Sequence, residues 1–526
     1  MRDFHLPGRS LVLAQNGMCA TSHPLAAKVA VQILEAGGNA ADAAIAGGAL
    51  LSICEPAMTG LAGDCFVLLS PPGEDRVIGL NGSGRAPAGL DAEALRAAGH
   101  STIPLRRVEA VTLPGAVDAF CRLSEDWGRA GLAASLAPAI HYADTGVPVA
   151  PRVAFDWAGN EGVFQGAARR HYLHDGRAPG VGDVFRAPGQ AEVLRRIAAD
   201  GRAGFYEGEV ADDLITSLRA LGGAHTLDDL AAVACDDTDP VSGTYGDNEL
   251  IEHPPNGQGP TAILLLNILR HFDLASLDPF GAERAHLEAE AAKLAYDARD
   301  RIIADPDHTA RLHHMLAPET AQRLAALIDP KRAMPVPVTQ RTEAIHRDTV
   351  YLWVVDGEGM AVSLIYSIFW AFGTGLASEK FGLLYQNRGA GFTLTPGHPN
   401  EAGPGKRPMH TIIPGMLRAG GGRPGPFGVM GGGYQPQGHA RFVTNLADFG
   451  MDAQAAIDGP RVFADGGVLK VERGYGAEVH QALADLGHAV VVPDVPLGGA
   501  QAILIGEGGV LTGASDPRKD GIALGY

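Results

Sequence analysis

The chain has 526 residues, of which 46% are hydrophobic and 19% are charged, a composition typical of globular proteins. The formal net charge of −18 argues against a nucleic-acid partner, which would favour a basic surface. No stretch reaches the roughly 20 uninterrupted apolar residues of a membrane span, and the start MRDFHLPGRS lacks the apolar core of a signal peptide. We therefore expect a cytoplasmic protein that contacts neither nucleic acid nor membrane.

Two helices are predicted near the start of the chain. In HPLAAKVAVQILEAGG, Pro24 suits a first helical position and Gly37 suits a C-terminal stop. In NAADAAIAGGALLSICEP, Asn39 suits the N-cap and Asp42 the first turn, and the many small residues indicate a buried helix. Further helices are predicted in GPTAILLLNILRHF and RAHLEAEAAKLAYDARDRII, and strands in CFVLLS, TVYLWVVD, MAVSLIYSI, GVLKVE and QAILIGEGGVLTG.

Helical segments predominate before about residue 349 and strands after it, which favours an α/β layer protein whose halves interlock. The five cysteines are scattered and include no CxxC pair, which excludes a disulfide framework and a thiolate zinc site. His308, His313 and His314 cluster in DPDHTARLHHM, but their spacing matches no established ligand pattern, so we expect no metal. GQGPTA and GGGRPG fit a degenerate dinucleotide pattern without a suitable βαβ context, so we expect no nucleotide cofactor.

The segment DTVYLWVVDGEGMAVSLIYS, residues 348–367, is predicted to form a β-hairpin. Its GEG tripeptide at 357–359 can form a three-residue loop whose last glycine is left-handed. That loop places Thr349 opposite Ser367 on one face, with Cβ atoms about 5 Å apart. A slip of one residue would separate the two hydroxyls, so the prediction depends on the register.

A threonine hydroxyl is a weak nucleophile unless a base accepts its proton, and the hairpin contains no histidine. If Thr349 were the first residue of a chain, its own α-amine, with a pKa of about 7.7–8.0, could be that base. This requires cleavage between Asp348 and Thr349, which the hydroxyl can perform by attacking the preceding carbonyl, followed by ester hydrolysis. The residues alone leave an alternative, because threonine is also an ordinary β-branched strand residue.

Along nearly its whole length the sequence resembles the γ-glutamyltranspeptidase family of N-terminal nucleophile hydrolases. The resemblance rests on ATSHPLAA, GGNAADAA, EPAMTGLAGDCF, VTLPGAVDAF, HPPNGQGPTA, EAAKLAYDARDR, the hairpin, FGTG, GKRPMHTIIPG and TGASDPRKDGIALGY, in that order. It implies a four-layer αββα sandwich without a metal or organic cofactor. It also implies self-cleavage into a large chain, 1–348, and a small chain, 349–526, which interlock in one globular unit.

The same resemblance implies roles for four residues. Thr349 falls at the family's nucleophile position, and Ser367 falls where a second hydroxyl hydrogen-bonds the nucleophile. Gly431 and Gly432, in GVMGGGY, fall on the glycine pair whose N–H groups form the oxyanion hole. Glycine suits this task because it allows close approach to the developing oxyanion.

The chain departs from the family at the residues that hold a γ-glutamyl group. At the positions of the family's substrate-binding arginine, asparagine, aspartate and serine pair, this chain has Ser83, Phe369, Gly391 and His410-Thr411. We expect Phe369 to make the acyl pocket smaller and drier. Much of the γ-glutamate clamp is therefore missing, while the machinery for attack is retained.

YQNRGAGF and RPMHTIIP look more like a divergent branch of the family that includes oxamate amidohydrolase, which cleaves a very small anionic amide. Arg85, Arg388 and His410 could supply positive charge for a carboxylate, with Asn387 and Thr411 as neutral hydrogen-bonding partners. We therefore predict hydrolysis of a small carboxylate-bearing amide through an acyl-enzyme intermediate.

Three alternatives remain open at this stage. The main one is γ-glutamyl hydrolysis or transfer, as in glutathione hydrolases. The second is a non-catalytic family member that stays unprocessed, and the third is cleavage of a bulky amide such as a β-lactam side chain. The expected partners are a small-molecule amide and the two chains of one precursor, and the pairing of two such heterodimers is left open.

Overall fold

The computed structural model describes residue 5 and residues 8–335 and 349–526. Asp348, on one side of the predicted cleavage site, lies outside the described residues. None of the described helices combines the length and the apolar character that a membrane crossing needs.

Helices and strands are interspersed along the described residues. The α-helices of the described residues are α1 (Pro24–Glu35), α2 (Ala40–Cys54), α3 (Ala92–Ala97), α4 (Ala116–Trp127), α5 (Leu132–Thr145), α6 (Pro151–Ala158), α7 (Gly166–Tyr172), α8 (Pro188–Asp200), α9 (Ala203–Tyr206), α10 (Gly208–Ala220), α11 (Leu227–Ala231), α12 (Gly259–Leu269), α13 (Ala282–Ile302), α14 (Leu312–Leu316), α15 (Pro318–Ala325), α16 (Gln435–Ala447), α17 (Ala453–Asp458) and α18 (Ala477–Asp485). The strands are β1 (Val12–Ala14), β2 (Gly17–Thr21), β3 (Asp64–Ser70), β4 (Ile78–Gly82), β5 (Val147–Pro148), β6 (Val184–Phe185), β7 (Asp236–Thr238), β8 (Val241–Tyr245), β9 (Asn248–Glu252), β10 (Val350–Asp356), β11 (Ala361–Ser367), β12 (Gly415–Arg418), β13 (Pro424–Met430), β14 (Val462–Asp465), β15 (Val468–Val471), β16 (Val490–Val491), β17 (Gly499–Ile505), β18 (Leu511–Ser515) and β19 (Ile522–Gly525).

Two seven-stranded sheets form the centre of the molecule. One has the order β1-β18-β17-β13-β12-β9-β8, and the other has the order β19-β2-β10-β11-β3-β4-β7. Neighbouring strands within each of these two sheets are antiparallel. Each sheet contains strands from before and from after residue 349, so the two parts of the chain interlock.

Three apolar cores separate four layers, as the side-chain alternation along β10 shows. Val350, Leu352 and Val354 pack in a core with residues of α1 and α2. Tyr351 and Trp353 point to the opposite face, where they pack between the two sheets with residues such as Met430 of β13. On the far side of the other sheet, α12, α13 and α16 supply a third core. This arrangement is the expected αββα sandwich.

The local signals of the first two helices are confirmed. The helix α1 begins at Pro24, and Gly37 follows its end with a φ of 93°. In α2, Asn39 and Asp42 form a reciprocal capping box, and the helix is buried along its whole length. The predicted strands are also present, but among the described residues nine strands, β1 to β9, precede residue 349 and ten follow it, so strands do not predominate only after that residue. Several of these early strands are short and polar, such as β7 with the sequence DDT, and they carry no clear alternation.

The hairpin formed by β10 and β11 has the predicted register. Val350 pairs with Tyr366 and Val355 with Ala361, which places Thr349 next in line opposite Ser367. Gly359 is left-handed, with a φ of 86°, as the three-residue loop requires.

Candidate active site

Thr349 and Ser367 lie at the open end of the hairpin, and their hydroxyl oxygens are 3.4 Å apart. Both residues are buried, with 2% and 0% of their surfaces exposed. By the strand alternation they face the space between the sheets, like Tyr351 and Ile365. The Ser367 hydroxyl also accepts hydrogen bonds from the amide of Phe369, at 2.9 Å, and from Nη2 of Arg388, at 3.3 Å. The serine is thus held in place beside the threonine.

Arg388 is a buried cation beside this pair of hydroxyls. Its Nη1 donates to Oγ1 of Thr411 at 3.1 Å, and its side chain is 0% exposed. The guanidinium carbon lies 4.0 Å from the centre of the Phe369 ring, a cation–π contact. Burial lowers the pKa of Arg388 to about 9, against the opposing effect of Asp64, so the side chain remains protonated at neutral pH. The site therefore contains a positive charge that is linked to Thr349 through the Ser367 hydroxyl.

His410 is also buried, but it is neutral. Burial, with a further contribution from the Arg388 charge, lowers the pKa of His410 to about 3. Its Nε2 lies 2.8 Å from Oδ2 of Asp64. In this structure the histidine can act as a hydrogen-bonding group, whereas the positive charge that the sequence suggested for it is disfavoured.

Asp64 is a site residue that was not predicted from the sequence, although the motif EPAMTGLAGDCF contains it. One carboxylate oxygen accepts from the Gly84 amide at 2.6 Å and from Nε2 of Gln386 at 3.0 Å. The other accepts from His410 and lies 3.5 Å from Nε of Arg388. Its partners come from distant parts of the chain, so no local pattern could have revealed them.

Asn387 holds the backbone of the turn after β11. Its Oδ1 accepts from the Trp370 amide at 3.1 Å, and its Nδ2 donates to the Leu105 carbonyl at 3.1 Å. Within that turn, Phe369 has a φ of 81°, a conformation that is strained for a side chain of this size. Asn387 thus supports the position of Phe369 against Arg388.

Arg85 lies apart from this cluster, with 40% of its side chain exposed. It donates to the Gly405 carbonyl at 3.1 Å and pairs with Asp236 at 3.4 Å and Asp305 at 3.6 Å. Its observed partners within the described residues are therefore structural, and its role in substrate binding stays a prediction.

Gly431 and Gly432 end β13 in left-handed conformations, with φ values of 117° and 55°. A Cβ atom added at Gly431 would lie 2.9 Å from Cα of Gly498, so only glycine fits there. The side chain of Gln258 donates to the carbonyls of both Thr411 and Gly432, at 2.7 and 2.8 Å. Gln258 therefore ties the glycine turn to the Arg388 cluster, a link that the sequence did not indicate.

One cluster elsewhere has the residue types of a metal site. The ligand atoms of His286, Glu290 and His488 all lie within 4.8 Å of one another. However, Nζ of Lys293 lies 2.6 Å from Glu290 and already supplies the counter-charge. The two imidazoles hydrogen-bond each other at 2.8 Å. His308, His313 and His314, whose spacing in the sequence matches no established ligand pattern, are exposed.

Comparisons with known proteins extend over nearly the whole chain. The sequence profile of the family described as gamma-glutamyltranspeptidase matches residues 26–526. The glutathione hydrolase-like YwrD proenzyme of Bacillus subtilis is 36% identical, over 98% of this chain and 99% of the relative. The oxamate amidohydrolase proenzyme of Klebsiella pneumoniae is likewise 36% identical, with the same coverage. Among solved structures, the cephalosporin acylase from Bacillus halodurans superposes with a TM-score of 0.92 at 38% identity, covering 100% of this chain and 99% of that one.

Proposed function

Because the chain belongs to the γ-glutamyltranspeptidase family of hydrolases, we propose that it is a precursor that cleaves itself before Thr349 and then hydrolyses a small carboxylate-bearing amide. The similar proteins named above are hydrolases, amidohydrolases or acylases, and the two curated relatives are proenzymes. An oxamate-like molecule is the substrate that best fits the charges and spacing of the site.

In the proposed reaction, the α-amine of Thr349 accepts the proton of the Thr349 hydroxyl as the oxygen attacks the amide carbonyl. The N–H groups of Gly431 and Gly432 stabilise the resulting oxyanion. The protonated amine then gives its proton to the departing nitrogen, which leaves as ammonia or an amine. Water attacks the threonine ester, the acid is released, and the hydroxyl is restored.

The observation that carries the choice of substrate is the position of Arg388. Its guanidinium donates to Ser367, the hydroxyl partner of Thr349, and is buried. In oxamate the carboxylate is bonded directly to the scissile carbonyl carbon, so its anchor must lie close to the nucleophile. The α-carboxylate of a γ-glutamyl group is several bonds farther away. The short separation between Arg388 and Thr349 therefore favours the smaller acyl group.

The packing of Phe369 favours the same choice. The ring lies over Arg388 and is 3% exposed, so it occupies space that a bulky acyl group would need. Cleavage of a large amide, as the name of the cephalosporin acylase suggests for that protein, is accordingly a weaker candidate.

The test is a panel of amides offered to purified wild-type protein and to Thr349→Ala. We expect the wild type to run as two bands on a denaturing gel, with the smaller chain beginning at Thr349, and to prefer oxamate to a γ-glutamyl anilide and to a glutaryl amide. We expect the alanine variant to run as one band and to be inactive. Thr349→Ser is the matched variant, since it keeps the hydroxyl and should retain both cleavage and turnover.

A preference for the anilide would replace oxamate-like hydrolysis with γ-glutamyl chemistry. A single full-length band for the wild type, without turnover of any amide, would favour a non-catalytic precursor. Turnover that persists in Thr349→Ala would remove the threonine from the mechanism.

A further inference from the structure

We propose that Asp64 is the positioning residue that sets the selectivity of this site for a substrate carboxylate, because it orients Arg388 and fixes the tautomer of His410. The inference rests on the proposed function, in which Arg388 binds the carboxylate. Asp64 itself touches neither the nucleophile nor the scissile bond in this arrangement; it acts through its neighbours.

The carboxylate of Asp64 is fully buried and surrounded by donors. The Gly84 amide and the Gln386 side chain converge on Oδ1, while the His410 imidazole converges on Oδ2. Arg388 adds its charge at 3.5 Å from Oδ2. A buried carboxylate with this many partners has a fixed orientation, and so do the groups that bind to it.

The contact with Asp64 determines where His410 carries its proton. A carboxylate can only accept, so Nε2 of His410 must be the protonated nitrogen. Nδ1 is then an acceptor, which agrees with the Ile412 amide at 3.4 Å from it. Asp64 therefore keeps the imidazole in one neutral tautomer.

The contact with Asp64 also determines how Arg388 presents its donors. The Nε edge of the guanidinium faces Asp64, and the two terminal nitrogens point to Thr411 and Ser367. Those terminal nitrogens form the fork that binds a carboxylate in a bidentate manner. Asp64 thus supplies the opposite charge that allows the fork to be buried, in its working orientation, before substrate arrives.

Asp64→Asn is the sharpest test, because it removes the charge and preserves the shape. The Gly84 and Gln386 donors would hold the oxygen of the introduced amide at the position of Oδ1, so the new NH₂ group would face Nε2 of His410 and the Arg388 guanidinium. We expect kcat/KM for oxamate to fall about ten- to a hundredfold, mainly through KM, as is typical when a hydrogen bond to a charged group is lost. In pyruvamide a methyl group replaces the charged oxygen of oxamate, so kcat/KM for pyruvamide should change less than about threefold.

Asp118→Asn is the matched control. Asp118 is another buried aspartate that accepts from an arginine, Arg202 at 2.9 Å, and from a backbone amide, Cys235 at 2.7 Å. We expect this control to lower the melting temperature without changing the ratio of oxamate to pyruvamide turnover. The positioning role is wrong if Asp64→Asn lowers kcat/KM equally for both substrates, lowers it for neither, or binds oxamate more tightly.

A second measurement does not depend on turnover. Nitrogen-15 NMR of the histidines in a Thr349→Ala precursor, with the His410 signal assigned from His410→Gln, reports the tautomer directly. We expect an Nε2–H imidazole that changes state when Asp64→Asn is added. An Nδ1–H or charged His410 in the Thr349→Ala precursor would overturn the inference. Failure of the wild type to hydrolyse any small amide would instead refute the proposed function and leave this measurement to judge Asp64.

Discussion

At the scale of single residues, the two arginines suggested by the sequence differ most in their surroundings. Arg388 is buried and hydrogen-bonded to the hydroxyls of Ser367 and Thr411, whereas Arg85 is partly exposed and paired with aspartates. Both are compatible with anion binding by residue type alone. Because Arg388 hydrogen-bonds the Ser367 hydroxyl beside Thr349, we propose Arg388 rather than Arg85 as the group that binds the substrate carboxylate.

Arg388→Lys should separate these roles. Lysine keeps the positive charge but cannot present a planar fork to a carboxylate, so we expect KM for oxamate to rise about tenfold. Arg85→Lys is the control, and its KM should stay within about twofold, since a partly exposed ion pair contributes little. Steady-state kinetics on both variants make the comparison. A larger effect at Arg85 would assign carboxylate binding to that residue instead.

The placement of Thr349 beside Ser367 was predictable from the sequence, because it is set locally. The pairing of Thr349 with Ser367 follows from the length of the loop that ends at Gly359, because a hairpin turn fixes the register of both strands. Asp64 and Gln258 could not be found in this way. Their partners are far apart in the sequence, and only the packed fold brings them together.

Among the secondary-structure elements, the helix α2 packs directly against β10, the strand that follows the predicted nucleophile. A Cβ atom added at Gly47 would lie 2.2 Å from Cδ1 of Leu352 in β10. At the adjacent Gly48, the nearest atom would be 3.5 Å away, on the ring of Phe120, which is an ordinary contact. A methyl group therefore does not fit at Gly47 unless Leu352 moves, whereas it fits at Gly48.

This contrast predicts opposite results for two similar substitutions. Gly48→Ala should be neutral or should stabilise the protein by up to about 1 kcal/mol, because alanine favours helix. Gly47→Ala should destabilise it by about 1–3 kcal/mol, because the added methyl displaces Leu352. Denaturant unfolding of both variants in a Thr349→Ala precursor gives the comparison. Equal effects at the two positions would contradict the close packing of α2 on β10.

Elements with strong local signals were predictable from the sequence, and those without them were not. The helix α2 carries its own capping box at Asn39 and Asp42. The strands β7 and β8 are short and partly polar, and they exist because β4 and β9 pair with them. Their stability comes from the sheet, and neither the polar tripeptide of β7 nor the five residues of β8 form a pattern long enough to predict a strand.

For the protein as a unit, buried neutral histidines make the free energy of unfolding depend on pH. Burial lowers the pKa of His253 to about 4, below its ordinary value of about 6.5. Between these two values the unfolded chain binds a proton that the folded chain does not. The stability that neutral His253 contributes to the folded protein is therefore fully present above pH 6.5, and it is lost as the pH falls towards 4. Burial raises the pKa of carboxyls such as Glu55, to about 7 in that case. Such groups make the protein less stable as the pH rises, which is the opposite of the effect of His253.

A difference measurement isolates the contribution of His253 from these opposing groups. His253→Gln should be destabilising at pH 7, because the ring stacks on Phe66 with centroids 4.3 Å apart. That penalty should shrink as the pH falls from 6.5 to 4, by up to about 1.4 kcal/mol per pH unit. Unfolding free energies of the Thr349→Ala precursor with and without His253→Gln across this range make the comparison. A difference that does not change with pH would show that His253 titrates normally.

The interlocked sheets predict that cleavage does not separate the two chains. In one sheet, β2 pairs with both β10 and β19, and β3 pairs with β11, so three hydrogen-bonded ladders join the large and small chains. We expect the cleaved protein to elute as one species in size-exclusion chromatography and to come apart only in denaturant. Separate elution of the two chains under native conditions would contradict this.

The position of β2 has a consequence for the order in which the molecule can form during synthesis. Both of its neighbours, β10 and β19, lie later in the sequence and leave the ribosome after it. A nascent chain that ends before residue 349 thus has no partner for either edge of β2. The large chain produced alone should accumulate as an aggregation-prone intermediate, and efficient production should require translation of both chains as one polypeptide.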